Sequence, residues 1–240
     1  MKLIGYLSNG YPSLEQSKAL ANHYIKSGCD VIEVDFPDYN PYLENDLIKG
    51  RMLKALESCP DYEQYMKVIS EIKQENPTAQ FILLAYETSV EAIGKEKFAQ
   101  FAKDNDLLDL IFVGLKSNEI KDYLIEQGLK VSCYIQFHLP EDEIQFALNS
   151  NGFVYLQAKP TTGNVNPAYP TLTDCINYIR ERGIGREREI YCGVGVHTPE
   201  DAKMVKQSGA DGVFVGSAFL NLHNDLKGLA QSIHDFKLEC

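Results

Sequence analysis

Short apolar runs alternate with longer amphipathic stretches along the whole chain, and this rhythm limits the possible folds more than any other property of the sequence. Eight runs have strand character: LIGYLS (3–8), DVIEVDF (30–36), QFILLAY (80–86), LDLIFVG (108–114), KVSCYIQ (130–136), GFVYLQA (152–158), EIYCGVG (189–195) and DGVFVGS (211–217). Helical periodicity fills the intervals near 13–28, 44–58, 61–76, 94–105, 117–127, 140–150, 170–183 and 199–208, with a last helix near 224–237. Strands that alternate with helices build a parallel sheet with helices packed on it. Eight such units in 240 residues predict a closed (β/α)8 TIM barrel, with residues 1–240 as one domain. No Gly-x-Gly-x-x-Gly follows the first strand, so the signature of an open, doubly wound dinucleotide fold is missing.

Punctuation supports the same division. Ser13 and Ser117 stand where helix N-caps belong, Thr198-Pro199 opens another helix, and Gly28 and Gly209 stand as C-caps just before strands. The segments SGCDVIEV and SGADGVFV echo each other, as a repeating βα architecture allows.

Charge and composition narrow the function. A net charge of −11 excludes binding to nucleic acid or an anionic membrane through a general electrostatic field, but leaves room for a local anion pocket lined by amides. No apolar segment approaches the roughly 20 residues that span a bilayer, and Met1-Lys2 leads straight into the first strand; a cytoplasmic protein is expected. The six cysteines lack paired or metal-ligand spacing and read as reduced thiols, most of them in the core. No cofactor and no metal are expected.

In the second strand, alternation sets Ile32, Val34 and Phe36 on one face and Val31, Glu33 and Asp35 on the other. The apolar face belongs against the helices, so both acids are expected inside the barrel near its mouth. Burial raises the pKa of a carboxyl and makes an acid usable near neutral pH. A structural acid bonded to amides or a lysine fits the pattern equally well. The loop that follows, DYNPYLEND, is aromatic and acidic, and either Glu44 or Asp46 is expected to cap the next helix.

Glycine-bearing turns end the last three strands, in AKPTTGN, CGVGVHTPE and FVGSAF. Such turns let backbone amides point at an anion, and barrels commonly bind phosphate there. Gly163, Gly195, Gly216 and Ser217 are the phosphate-site candidates. Tyr155 either presents its hydroxyl to the mouth or only packs. Lys159 either adds charge to this pocket or is a solvated loop lysine, and His138 reads as a bystander.

These residues resemble a known family, the α subunit of tryptophan synthase, a (β/α)8 barrel that cleaves indole-3-glycerol phosphate to indole and glyceraldehyde 3-phosphate. GYLSNGYPSLEQS is similar to the family's first strand and turn, and GCDVIEVDFP to its strand with a catalytic glutamate four residues before a proline. FVYLQAKPTTG, CGVGVHTPED and GADGVFVGSA resemble its phosphate loops. The resemblance implies that Glu33 moves a proton at indole C3 and that a second carboxylate, an aspartate in the family and Glu44 here, takes the proton of the ring nitrogen. It also implies a role for Tyr155, a pocket containing Tyr6, Asp35, Tyr86 and Thr162, and a phosphorylated small-molecule substrate.

The sequence departs from the family where the loop PDYNPYLEND loses a glycine and a proline and where Asp35 replaces a glycine. Asp35, Asp38 and Tyr39 add polarity at the mouth, which keeps a more polar phosphorylated substrate open, with a lyase or isomerase acting on it. A catalytically weak, ligand-binding barrel is the third reading. The third and fourth strands end in AYETS and FVGLKS, not in the family's interface residues, so the usual contact with a β subunit is not expected.

Overall fold

The computed structural model describes residues 1–114, 118–160, 163–184 and 187–240. Its eight strands are β1 (Lys2–Leu7), β2 (Val31–Asp35), β3 (Gln80–Tyr86), β4 (Asp109–Val113), β5 (Lys130–Ile135), β6 (Val154–Gln157), β7 (Ile190–Gly193) and β8 (Gly212–Val215). All pair in parallel and in sequence order, and β8 returns to β1 through Lys2↔Gly212 to Gly5↔Val215, so the sheet is a closed barrel. β3 matches its predicted run, β1 starts one residue before its run, and the other strands lie within theirs.

Eleven helices surround the barrel among the described residues: α1 (Leu14–Ser27), α2 (Asp46–Ser58), α3 (Tyr62–Glu75), α4 (Glu87–Ile93), α5 (Lys95–Asp104), α6 (Glu119–Glu126), α7 (Glu141–Leu148), α8 (Leu172–Glu181), α9 (Pro199–Gln207), α10 (Ser217–Leu220) and α11 (Leu226–Glu239). Ser13 caps α1 and Gly28 ends it in the left-handed region, as their residue types require. Thr198 and Asp201 form a capping box on α9, with Pro199 in its first turn. Gly209, at φ 91°, comes one residue after the Ser208 cap. Ser117, expected as the cap of α6, lies outside the described residues.

Two apolar layers follow from strand alternation. Ile32, Val34 and Phe36 pack with the helices. Ile4, Tyr6, Val31, Ile82, Leu84, Ile111 and Phe214 fill the barrel interior. Phe153 stacks on Tyr191 at 4.5 Å between ring centroids, and Tyr155 lies on Phe214 at 4.4 Å. This aromatic cluster fills the lower barrel interior, and in barrels of this kind chemistry is commonly placed at the carboxyl ends of the strands. All six cysteines are free thiols, four of them buried.

Candidate functional site

Glu33 is the middle residue of β2, in register with Tyr6 on β1 and Ile82 on β3. Its side chain is 4% exposed. No hydrogen bond among the described residues meets its carboxyl, and burial, followed by the charges of Glu44 and Asp35, holds its pKa well above the ordinary carboxylate range. Both burial and the neighbouring acids favour the protonated form of this carboxyl.

Asp35, one inward position further along β2, is fully buried but not free. One oxygen accepts from the Tyr6 hydroxyl at 2.7 Å and the other from the Asn9 amide at 2.5 Å. Burial raises its pKa to about 7 against the opposing pull of these bonds. Asp38 is likewise 2% exposed and bonded to Thr88 and Ser89, while Tyr39 is 64% exposed. The polar additions expected at the mouth are therefore taken up inside the protein or turned to solvent.

Glu44 does not cap α2, and neither does Asp46. Asn45 caps it, accepting from the amides of Leu47 and Ile48 at 3.0 and 3.1 Å. With the cap supplied by its neighbour, Glu44 turns to the barrel, where its carboxylate accepts from the Tyr86 hydroxyl at 3.2 Å. Burial raises its pKa to about 7, with Tyr86 and Lys49 opposing. The Asn45 side-chain amide also donates to the Ser217 hydroxyl at 3.2 Å, which ties the start of α2 to the start of α10.

The glycine turns lie at the same rim. Gly195 follows the end of β7 by two residues, and Gly216 follows β8 directly and precedes Ser217, the first residue of α10. Gly195 has φ 90°, and a β-carbon there would come within 2.9 Å of the Lys159 β-carbon. Gly163, at φ 82°, lies in the turn after β6. Thr162 lies outside the described residues. Lys159 keeps its side chain 41% exposed while its ammonium pairs with Asp201 of the α9 capping box at 2.5 Å. His138 offers only its carbonyl, which accepts from Asn166 at 3.4 Å.

Tyr155 connects the two halves. Its ring packs edge-on against Tyr134 at 5.2 Å, and its hydroxyl is 2.8 Å from where a β-carbon on Gly193 would stand. That hydroxyl has no bond among the described residues, and burial, then the Glu33 charge, raises its pKa. The ring packs against Tyr134 and Phe214, and the hydroxyl lies close enough to Glu33 to feel its charge. Sequence reading missed Tyr134, Asn9 and Asn45; only Asn45 carried a signal, as a good cap residue directly before a helix.

A cavity of about 600 Å³ opens at the opposite, amino end of the barrel, lined in part by Lys2, Asp109, Lys130, Arg188 and Glu189. Lys2 pairs with Glu189 at 2.8 Å, and the Arg188 guanidinium bonds the carbonyls of Ala147, Gly152 and Phe153. These charges are paired with one another and with carbonyls of the barrel floor.

The chain is similar over most of its length to the tryptophan synthase alpha chain of Methanosarcina mazei, 28% identical with 92% of this chain and 80% of that protein covered. It is also similar to that of Zymomonas mobilis, 25% identical with 91% and 80% covered. Among solved structures, tryptophan synthase from M. tuberculosis superposes with a TM-score of 0.83 at 23% identity, covering 99% of this chain and 92% of that one. The family model described as tryptophan synthase alpha chain matches residues 1–240, and the chain belongs to that family.

Proposed function

We propose that this chain is a carbon–carbon lyase that splits indole-3-glycerol phosphate, the reaction known for its family, into indole and glyceraldehyde 3-phosphate. The observation that carries the reading is the inward, buried and unbonded Glu33 carboxyl, with Glu44 close enough to raise its pKa, at the rim that also bears Gly195 and Gly216.

In this reading protonated Glu33 delivers its proton to indole C3, and ionised Glu44 takes the proton of the ring nitrogen. The resulting indolenine is an electron sink. The hydroxyl on the carbon attached to C3 then gives its proton to the Glu33 carboxylate, and that carbon becomes the aldehyde. As the carbon–carbon bond breaks, its electron pair returns to the ring and the nitrogen recovers its proton from Glu44. Both carboxyls end in their starting states, which is what a turnover cycle requires.

Tyr155 is assigned to orient Glu33, and Tyr6, Tyr86 and Asp35 to wall the indole side. The amides around Gly163, Gly195, Gly216 and Ser217 are assigned to the phosphate. Because Asp35 and Asp38 spend their oxygens on internal donors, they give a more polar substrate little to bind, and this favours the indole reading. The expected absence of the usual β-chain contact is part of the proposal, supported by Thr88 and Ser89, which bond to Asp38 at the end of the third strand. So is a cytoplasmic location; no described helix is long and apolar enough to cross a membrane.

The test is indole release from indole-3-glycerol phosphate by the purified chain. Glu33→Gln should lower kcat by at least about a thousandfold with KM within about threefold, because the amide keeps the shape and loses the proton. Equal turnover by the variant would remove Glu33 from the chemistry and the reading with it.

A further inference from the structure

The loop from Pro37 to Asn45 carries Glu44, and the bonds that fix it come from the same chain. At its start, the Pro37 carbonyl accepts from the Tyr62 hydroxyl at 2.9 Å. Asp38 is 2% exposed; one of its oxygens accepts from Thr88 Oγ1 at 2.6 Å and Ser89 Oγ at 2.7 Å, and the other from the Asn40 amide at 2.7 Å. At the loop's far end, the Tyr42 ring meets Tyr86 edge-on at 5.6 Å, and the Tyr86 hydroxyl holds Glu44. Tyr86, Thr88 and Ser89 all belong to the junction of β3 and α4, so a single corner of the barrel grips the loop at both ends.

A carboxylate at this depth is tolerated only where donors meet it, and short hydroxyl–carboxylate bonds are the strong kind. Thr88 and Ser89 supply both bonds to the inner oxygen. Removing the two hydroxyls leaves the inner oxygen buried with no donor, and the loop must lift for that oxygen to regain water. Glu44, six residues on, moves with it.

We propose that Asp38, seated on Thr88 and Ser89, is the positioning residue for Glu44, an internal latch that holds the second carboxylate over the barrel mouth before substrate arrives. The catalytic part of this inference rests on the lyase reading above; the latch itself rests on the bonds of Asp38.

The test compares the wild-type chain with Thr88→Val/Ser89→Ala, which deletes the donors, and with Thr88→Ser/Ser89→Thr, which keeps them. Two quantities are followed: indole release, and chymotrypsin cleavage after Tyr39 and Tyr42, which are 64% and 44% exposed. The donor-deleted variant should be cut about tenfold faster at these two sites, identified by fragment mass. Its kcat should fall about tenfold with KM changed less than about threefold, and the acid limb of its pH–rate profile should flatten as Glu44 leaves its place. The hydroxyl-keeping variant should match wild type. If the double deletion does not fold, Thr88→Val alone, at the exposed member of the pair, should show the same pattern at about threefold.

Unchanged cleavage overturns the latch. Faster cleavage with unchanged kcat overturns its positioning role while leaving the lyase reading intact. A wild-type chain that releases no indole removes the lyase reading, and the latch then stands or falls on the cleavage rates alone.

Discussion

Glu33 and Glu44 are both raised by burial: Glu44 to about 7, and Glu33, with the charges of Glu44 and Asp35 adding to burial, well above the ordinary carboxylate range. The proposed reaction uses Glu33 as the acid and Glu44 as the base. The expected profile of kcat/KM is a bell. Activity rises as pH climbs through about 7 and Glu44 loses its proton, then falls where Glu33 loses its own; Glu44→Gln should abolish the rising limb. Asp35 gives a stability effect whose sign follows from its folded pKa of about 7, above the roughly 3.9 of an unfolded aspartate. The folded state binds this proton more tightly, so the stability it contributes is fully present below about pH 4 and is lost as pH rises through 7. Asp35→Asn should therefore gain on wild type by a few kcal/mol between pH 5 and pH 8 in denaturant titrations. The inward direction of Glu33 and Asp35 was legible from alternation alone. The burial of Asp38 was not, because its partners Thr88 and Ser89 lie about fifty residues away and nothing local announces them.

At the scale of elements, strands were read closely because an apolar run bounded by turns is a local property. Helices with polar caps were read nearly as well. Two escaped: α4 (Glu87–Ile93), which leaves β3 through Tyr86 with no side-chain cap, and the four-residue α10 (Ser217–Leu220). Two turns that run straight on from a strand, and a single turn after another, are too short to show a helical period. The cap of α2 escaped for a different reason, since the acids flanking Asn45 drew attention from the residue with the better geometry. Asn45→Ala should cost about 1 kcal/mol of stability, measured by denaturant titration, and loosen the tie to Ser217. Gly195→Ala meets both a positive φ and the Lys159 side chain. It should destabilise the chain by about 1–3 kcal/mol and weaken glycerol 3-phosphate binding about tenfold, read as a smaller thermal shift at fixed ligand.

At the scale of the whole molecule, barrel closure is what brings residues distant in the chain to one end of the barrel. β2 brings Glu33, and the turns after β7 and β8 bring Gly195 and Gly216, to one rim above an aromatic floor to which β6 contributes Tyr155. Parallel pairing in sequence order guarantees that every strand's carboxyl end faces the same way, so the placement of the acid and the glycine turns at one rim followed once eight strands were recognised. Their spacing across that rim did not follow, because it depends on strand tilt and on loops such as Pro37–Asn45 whose seats are tertiary. The most direct test of a shared site is the ratio of kcat/KM for indole-3-glycerol phosphate to that for its dephosphorylated counterpart. Binding energy from a remote phosphate that positions the reacting carbon above Glu33 should make this ratio at least about a hundred. A ratio near one would mean that the acid and the anion turns do not act on one molecule.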